Sequence, residues 1–140
     1  MADAKNITHR IWDLMESNQI DRFDELVSED VHFKMPGLEM NGLGAFKDLI
    51  RAYLAAFPDL KHRAIAEVAA GDAVAREIRV TGTHTGTMVT PQGNIPATGR
   101  EVVWESCDYV RVRGGKIVSW HVYHDSVPFL TAMGLMPTAP

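Results

Sequence analysis

Hydrophobic periodicity, chain length and the order of elements point to a single α+β domain, in which helices fold over one face of a bent antiparallel sheet. Apolar residues recur at helical spacing through the first half of the chain. After Asp59 the period changes to two and stays there to about residue 125. The 140 residues are 46% hydrophobic and 23% charged, enough for one core spanning residues 1–140 and too few for two.

Residues 3–18 form the first predicted helix, with Ile7, Ile11, Leu14 and Met15 on one face and Trp12 widening it. Asn18-Gln19 ends it. A short second helix starts at Asp21 as N-cap and turns Phe23, Leu26 and Val27 inward before Ser28-Glu29-Asp30 breaks it. Residues 31–36 alternate as a strand, with Val31, Phe33 and Met35 on one side and His32 and Lys34 on the other. Asn41-Gly42-Leu43-Gly44 reads as a turn. Phe46, Leu49, Ile50, Tyr53, Leu54 and Phe57 give the clearest helical stripe, and Pro58 stops it. Strands are predicted at 60–70, 73–84, 100–112 and 116–125, with Gly71-Asp72 and Arg113-Gly114-Gly115 as tight turns. Residues 85–99 form a long loop, 126–133 a last helical turn or two, and 134–140 a tail. The apolar stripes of the helices need a large surface to bury them, and the sheet is the one available. A sheet closed on one side in this way is a cone with an open mouth, a shape that holds small-molecule pockets.

The formal net charge of −4 sets the chain apart from electrostatic nucleic-acid binders. No apolar run approaches the ~18 residues of a membrane span. Met1 to Asn6 is polar, without the apolar stretch of a signal peptide, and Cys107 is the single cysteine, so a reducing cytoplasm is the expected compartment. No helical His-x-x-x-His or Glu-x-x-His pair is present, and His121, His124 and Asp125 are split between two faces of one strand. The chain also lacks a glycine-rich phosphate loop and a nucleophile elbow. Neither a metal nor a cofactor is expected.

The last hairpin bears most on chemistry, because its register decides which residues meet. A three-residue turn followed by a bulge sets Asp108 opposite Trp120, Ser106 opposite Val122 and Trp104 opposite His124. Its inner wall then carries Trp104, Ser106, Asp108, Val110, Val118, Trp120, Val122 and His124, and the outer face, with Cys107, is more polar. A two-residue turn on Gly114-Gly115 instead sets Asp108 opposite His121 and Trp104 opposite Asp125. Either way Asp108 shares a face with a histidine. A carboxylate and an imidazole on a tryptophan-lined wall suit general acid–base work near neutral pH. The plainer alternative is that Asp108 accepts bonds from an indole or backbone donor and shapes the core.

Other candidates are more ambiguous. His84, in Thr81-Gly82-Thr83-His84-Thr85-Gly86, either touches a ligand at the mouth or bonds a backbone carbonyl. His32 and Lys34 are either solvated or pocket-facing. Arg76 is in phase with Val74, Ile78 and Val80; if buried it needs a partner, Asp108 or a ligand. His9 and His62 read as surface residues.

The chain resembles the SnoaL-like polyketide cyclase family, within the nuclear-transport-factor-2-like, ketosteroid-isomerase-like superfamily. The resemblance is carried by Asp30-Val31-His32-Phe33 after two helices, Val80-Thr81-Gly82-Thr83-His84-Thr85-Gly86, Pro96-Ala97-Thr98-Gly99-Arg100, and the run from Val110 to Trp120. Asp125 followed by Phe129-Leu130 and Met133-Gly134 fits the ending. It implies a cone, a homodimer packed through the outer sheet face, and a cofactor-free site in the cavity. There an acidic residue removes a proton from carbon between carbonyls, and a ring closes by intramolecular aldol condensation. Asp108 falls where the related ketosteroid isomerases place an acid that donates to the enolate oxygen. The positions of the Asp, Arg and Asp of limonene epoxide hydrolases carry Val122, Ile78 and Val80 here, which argues against epoxide hydrolysis. The base must then come from His124, Asp125 or His121.

Together these readings expect cofactor-independent cyclisation or isomerisation of a small hydrophobic carbonyl compound. Asp108, His124 and Asp125 are the catalytic candidates. Trp12, Trp104 and Trp120 form the apolar wall, and His32, Lys34, Arg76 and His84 are possible donors to the substrate. The alternative is a protein that binds such a ligand in the same pocket without reacting it.

Overall fold

The computed structural model describes residues 3–90 and 93–135. Helix α1, Ala4–Glu16, starts where the Asp3 carboxylate accepts the Asn6 amide at 2.7 Å and ends at Ser17. Ile7, Ile11, Trp12 and Met15 are buried along its inner side. The second predicted helix is a 3-10 turn, Ile20–Glu25. Asp21 lies inside it rather than capping it, and Phe23 is its anchor, fully buried.

Strand β1 runs Val27–Met35, four residues longer at its start than its alternation indicates. Ser28-Glu29-Asp30 breaks the hydrophobic pattern yet remains in the strand. Its pairing is irregular there: Val27 sits beside Ile117, and regular register resumes only at His32. β2, Leu38–Asn41, pairs with β1 in a stretch to which the sequence pattern assigns no strand. Helix α2, Leu43–Ala56, follows Gly42, whose φ of +104° suits glycine. The remaining long strands are β3 (Lys61–Ala70), β4 (Ala73–Thr83), β7 (Glu101–Arg113) and β8 (Lys116–His124). Inside the predicted loop, β5 (Met88–Thr90) and β6 (Gly93–Ile95) form a small separate hairpin. Helix α3, Ser126–Ala132, begins at Asp125, whose side chain accepts the Val127 amide at 2.9 Å. The predicted tail lies outside the described residues beyond Leu135.

The six-stranded sheet has the order β2-β1-β8-β7-β4-β3. All its pairs are antiparallel except β1 with β8, the two strands most distant in sequence among the paired ones. β4 shows the alternation most clearly: Val74, Arg76, Ile78 and Val80 are buried while Ala75, Glu77 and Arg79 are exposed. α1 and α2 cover the inner face, giving a curved sheet closed by helices.

The β7–β8 hairpin takes neither predicted register. Arg113 pairs with Lys116 across a two-residue Gly114-Gly115 turn with φ of +60° and +78°, the left-handed values such turns require. A bulge then leaves Val118 unpaired, because Val112 faces Ile117 and Arg111 faces Ser119. From there Val110 faces Trp120, Asp108 faces Val122 and Ser106 faces His124. This differs from the three-residue-turn register by two residues, so the inner set of that register survives. The exception is Val118, replaced on the inside by buried Ile117.

Candidate active site

The cone interior encloses about 110 Å3 of free space. Aromatic and aliphatic groups make most of the wall, among them Trp12, Phe33, Phe46, Ile78, Val80 and Trp120. Polar groups enter from the β7–β8 ladder as Ser106, Asp108 and His124, and from α2 and β3 as Tyr53 and His62.

Asp108 is buried and heavily bonded. Arg76 Nε donates to its Oδ1 at 2.9 Å and Arg76 Nη2 to its Oδ2 at 2.5 Å. The Trp120 indole N–H adds a third bond to Oδ2 at 3.1 Å. Of roughly four acceptor directions on a carboxylate, about one is left, on Oδ1. Arg76 is equally committed. Its Nη1 donates to the Thr8 carbonyl at 3.2 Å, and its guanidinium carbon lies 3.8 Å from the Trp12 ring centroid. Two opposite charges facing each other across β4 and β7 are thus fully paired, as a buried pair must be. Arg76 therefore lies behind the wall as partner of Asp108 and does not line the cavity as a donor to substrate.

His124 is the contrasting group. It lines the same cavity, faces Ser106 across the ladder and has a buried Nδ1 without a hydrogen-bond partner among the described residues. Loss of solvation pushes its pKa below the ordinary imidazole value, and nearby Asp125 only partly opposes this. The ring is therefore neutral at neutral pH. Asp108 lies two residues along the same face from Ser106, roughly 7–8 Å diagonally in such a ladder, so the two titratable groups share a wall without forming a couple.

The remaining candidates are dispersed. Trp12, Trp104 and Trp120 line the cavity. Asp125 is exposed and caps α3, so it is removed from the catalytic set. His32 and Lys34 are on the outer side. His32 Nε2 meets Glu39 at 2.7 Å and its Nδ1 meets His121 Nε2 at 3.0 Å, while Lys34 is exposed. The strand's phase turns Val31 and Phe33 inward and leaves neither polar residue for the cavity. His84 is fully buried outside the cavity. Its Nδ1 accepts the Thr98 amide at 3.2 Å and its ring packs on Phe57, which ties the start of the long connection to its end. Desolvation lowers its pKa.

Two titratable cavity residues, His62 and Tyr53, are absent from the sequence-based set. His62 is half-buried, stacks on Trp12 with centroids 5.2 Å apart and meets Glu16 through Nδ1 at 3.2 Å. Its position between charged Lys61 and Arg63 and in phase with buried Leu60 was the available signal. His9, also read as surface, bonds Glu67 at 2.7 Å while staying partly exposed. Tyr53 stands on the inward stripe of α2, where a phenol among aliphatic side chains marks a polar atom in the interior.

A family model described as SnoaL-like polyketide cyclase matches residues 5–133. The chain belongs to the SnoaL-like polyketide cyclase family, on the nuclear-transport-factor-2-like fold. Among solved structures it is similar to AclR from Streptomyces galilaeus, described as a candidate hydroxylase. The identity there is 26%, with 98% of this chain and 84% of that one covered and a TM-score of 0.80. IdmH from Streptomyces antibioticus, a candidate polyketide cyclase, is 23% identical over 95% and 99% of the two chains, with a TM-score of 0.79. An epoxide hydrolase from M. tuberculosis shares the fold at 17% identity, covering 92% and 87%, with a TM-score of 0.72. A comparison with curated proteins finds no match.

Proposed function

We propose that this protein catalyses a cofactor-independent proton transfer on a small, mostly apolar carbonyl compound held in the cone, leading to intramolecular aldol-type cyclisation or to isomerisation. The observation that carries this reading is His124: a neutral imidazole with an unpartnered buried Nδ1, in the wall of an apolar cavity. Its depressed pKa leaves it free to act as a base at neutral pH. It takes a proton from carbon flanked by carbonyls, and the electron pair passes into the enolate. In cyclisation the enolate carbon then bonds to a second carbonyl carbon of the same molecule, and the imidazolium returns its proton to the new alkoxide. In isomerisation the proton returns to a different carbon. Asp108 alone would repel the enolate; bound to Arg76 it gives a neutral, rigid polar wall. Ser106, beside His124, offers a hydroxyl to the developing oxyanion.

The test is hydrogen exchange at C2 of a 2-substituted β-keto ester in D2O, followed by proton NMR. Protein should accelerate exchange over buffer, and His124→Asn should lose about 10²-fold or more of that acceleration. If the ester binds without accelerated exchange, the protein is a binding protein with the same pocket. That reading draws support from the nearly complete bonding of Asp108, which suits a fixed wall as well as a catalytic one.

We further infer a homodimer packed through the outer sheet face, in the cytoplasm. Val103, Tyr109 and Tyr123 stand exposed on that face, which supports an apolar contact there.

A further inference from the structure

An engineered cavity of about 150 Å3 holds one benzene. The main cavity here, at about 110 Å3, is smaller. A ligand larger than a single ring must extend beyond it. A second groove of about 220 Å3 adjoins the first, and Met35, Leu49 and Tyr53 belong to the walls of both. Beyond that shared wall the groove is mainly apolar, lined by Leu38 and Ala52 on one side and by Met88 and Val89 of the small hairpin on the other.

The shared wall has an incomplete hydrogen bond. Among the described residues, the Tyr53 hydroxyl donates only to the Met35 sulfur, at 3.9 Å. A thioether is a weak acceptor, and a withdrawn hydroxyl without a good partner loses stability. Removal from water pushes the phenol's pKa up to about 12, so it remains a donor at every ordinary pH. Methionine is the most adaptable apolar side chain, and moving its sulfur aside costs little. An oxygen atom at this place would supply a better acceptor and open the wall.

Resting on the reading that the cavity takes a carbonyl compound, we propose that the ligand is elongated. Its head lies against Ser106 and His124, an oxygen near its middle accepts the Tyr53 hydroxyl in place of Met35, and its apolar tail fills the second groove. Tyr53 is then a positioning and length-specifying residue, remote from the proton transfer.

The probes are methyl ketones from hexan-2-one to tetradecan-2-one and 2,6-diketones of matching length, which carry a second oxygen near the middle, with binding followed by tryptophan fluorescence and calorimetry. In the unaltered protein, affinity should keep rising about fourfold per added methylene well past the shortest ketone. Ala52→Phe and Val89→Trp each fill the second groove alone, and Val89 is exposed enough to change without risk to folding. Both should abolish the gain for long ketones and leave hexan-2-one unchanged. Tyr53→Phe should weaken the 2,6-diketones about fivefold, the worth of one hydrogen bond, and leave the methyl ketones unaffected. Long-ketone affinity that is untouched by both groove-filling variants overturns the proposal while leaving the cavity reading in place. Equal effects of Tyr53→Phe on 2,6-diketones and methyl ketones overturn the role of the hydroxyl. Failure of every ketone to bind the unaltered protein overturns the cavity reading too.

Discussion

Arg76 and Asp108 place a full pair of charges in the interior at 1% and 2% exposure. Their stability rests on every nitrogen of the guanidinium and both carboxylate oxygens having a partner: two bonds between them, one to Thr8 and one from Trp120. Removing one charge strands the other. Arg76→Met should cost about 3–5 kcal/mol in urea denaturation, and Arg76→Met with Asp108→Leu should recover most of that loss. His124 supplies a different prediction. Its folded pKa lies below its unfolded value, so between the two the unfolded chain binds more protons and stability rises with pH. The contribution is complete above the ordinary histidine pKa of about 6.5 and is lost as pH falls through the folded value. His84 and His121, also shifted down by desolvation, act in the same direction. The thermal midpoint should therefore fall on acidification below about pH 6.5, and His124→Gln should flatten part of that slope.

Strands and helices are joined by contacts that local patterns signal only in part. Gly86 follows β4, and its amide donates to the Ala56 carbonyl at the end of α2 at 3.2 Å. A Cβ built there would lie 1.8 Å from the Ala55 carbonyl oxygen, which is backbone and does not swing away. Gly86→Ala should cost about 3 kcal/mol or more by chemical denaturation, an overpacking penalty. Gly44→Ala, in open space at the start of α2, should be neutral or slightly stabilising. The β7–β8 hairpin shows where pattern reading stops. Alternation assigns Asp108, Trp120 and His124 to one face in any register shifted by two. Beside the bulge at Val118 that sets their opposite numbers, Ile117 donates its amide to Leu26, 91 residues earlier in the chain, at 2.8 Å. No local motif announces such a bond.

Across the whole molecule, the exposed Val103, Tyr109 and Tyr123 set three large apolar side chains on an outer sheet face that also carries Glu77, Arg79, Glu105 and Arg111. If that face closes a dimer, light scattering should report about twice the 15.5 kDa chain mass, and Tyr123→Lys should halve it while leaving the far-ultraviolet circular dichroism intact. A chain that stays at 15.5 kDa at high concentration overturns the dimer. The α+β class, the order of elements and the inward face of most strands were legible from periodicity, because burial acts on each strand and helix residue by residue. So was the need of Arg76 for a buried partner, since a charge in phase with Val74 and Ile78 has few other fates. The separation of Asp108 from His124, the reassignment of Asp125 to a helix cap and the inward turn of His62 were decided by pairing between distant segments. The parallel β1–β8 contact and the shared wall of Met35 and Tyr53 arose in the same way. Local pattern records which side of an element avoids water; only the closed fold determines which polar atoms, once inside, find partners and which, like His124 Nδ1, are left without one.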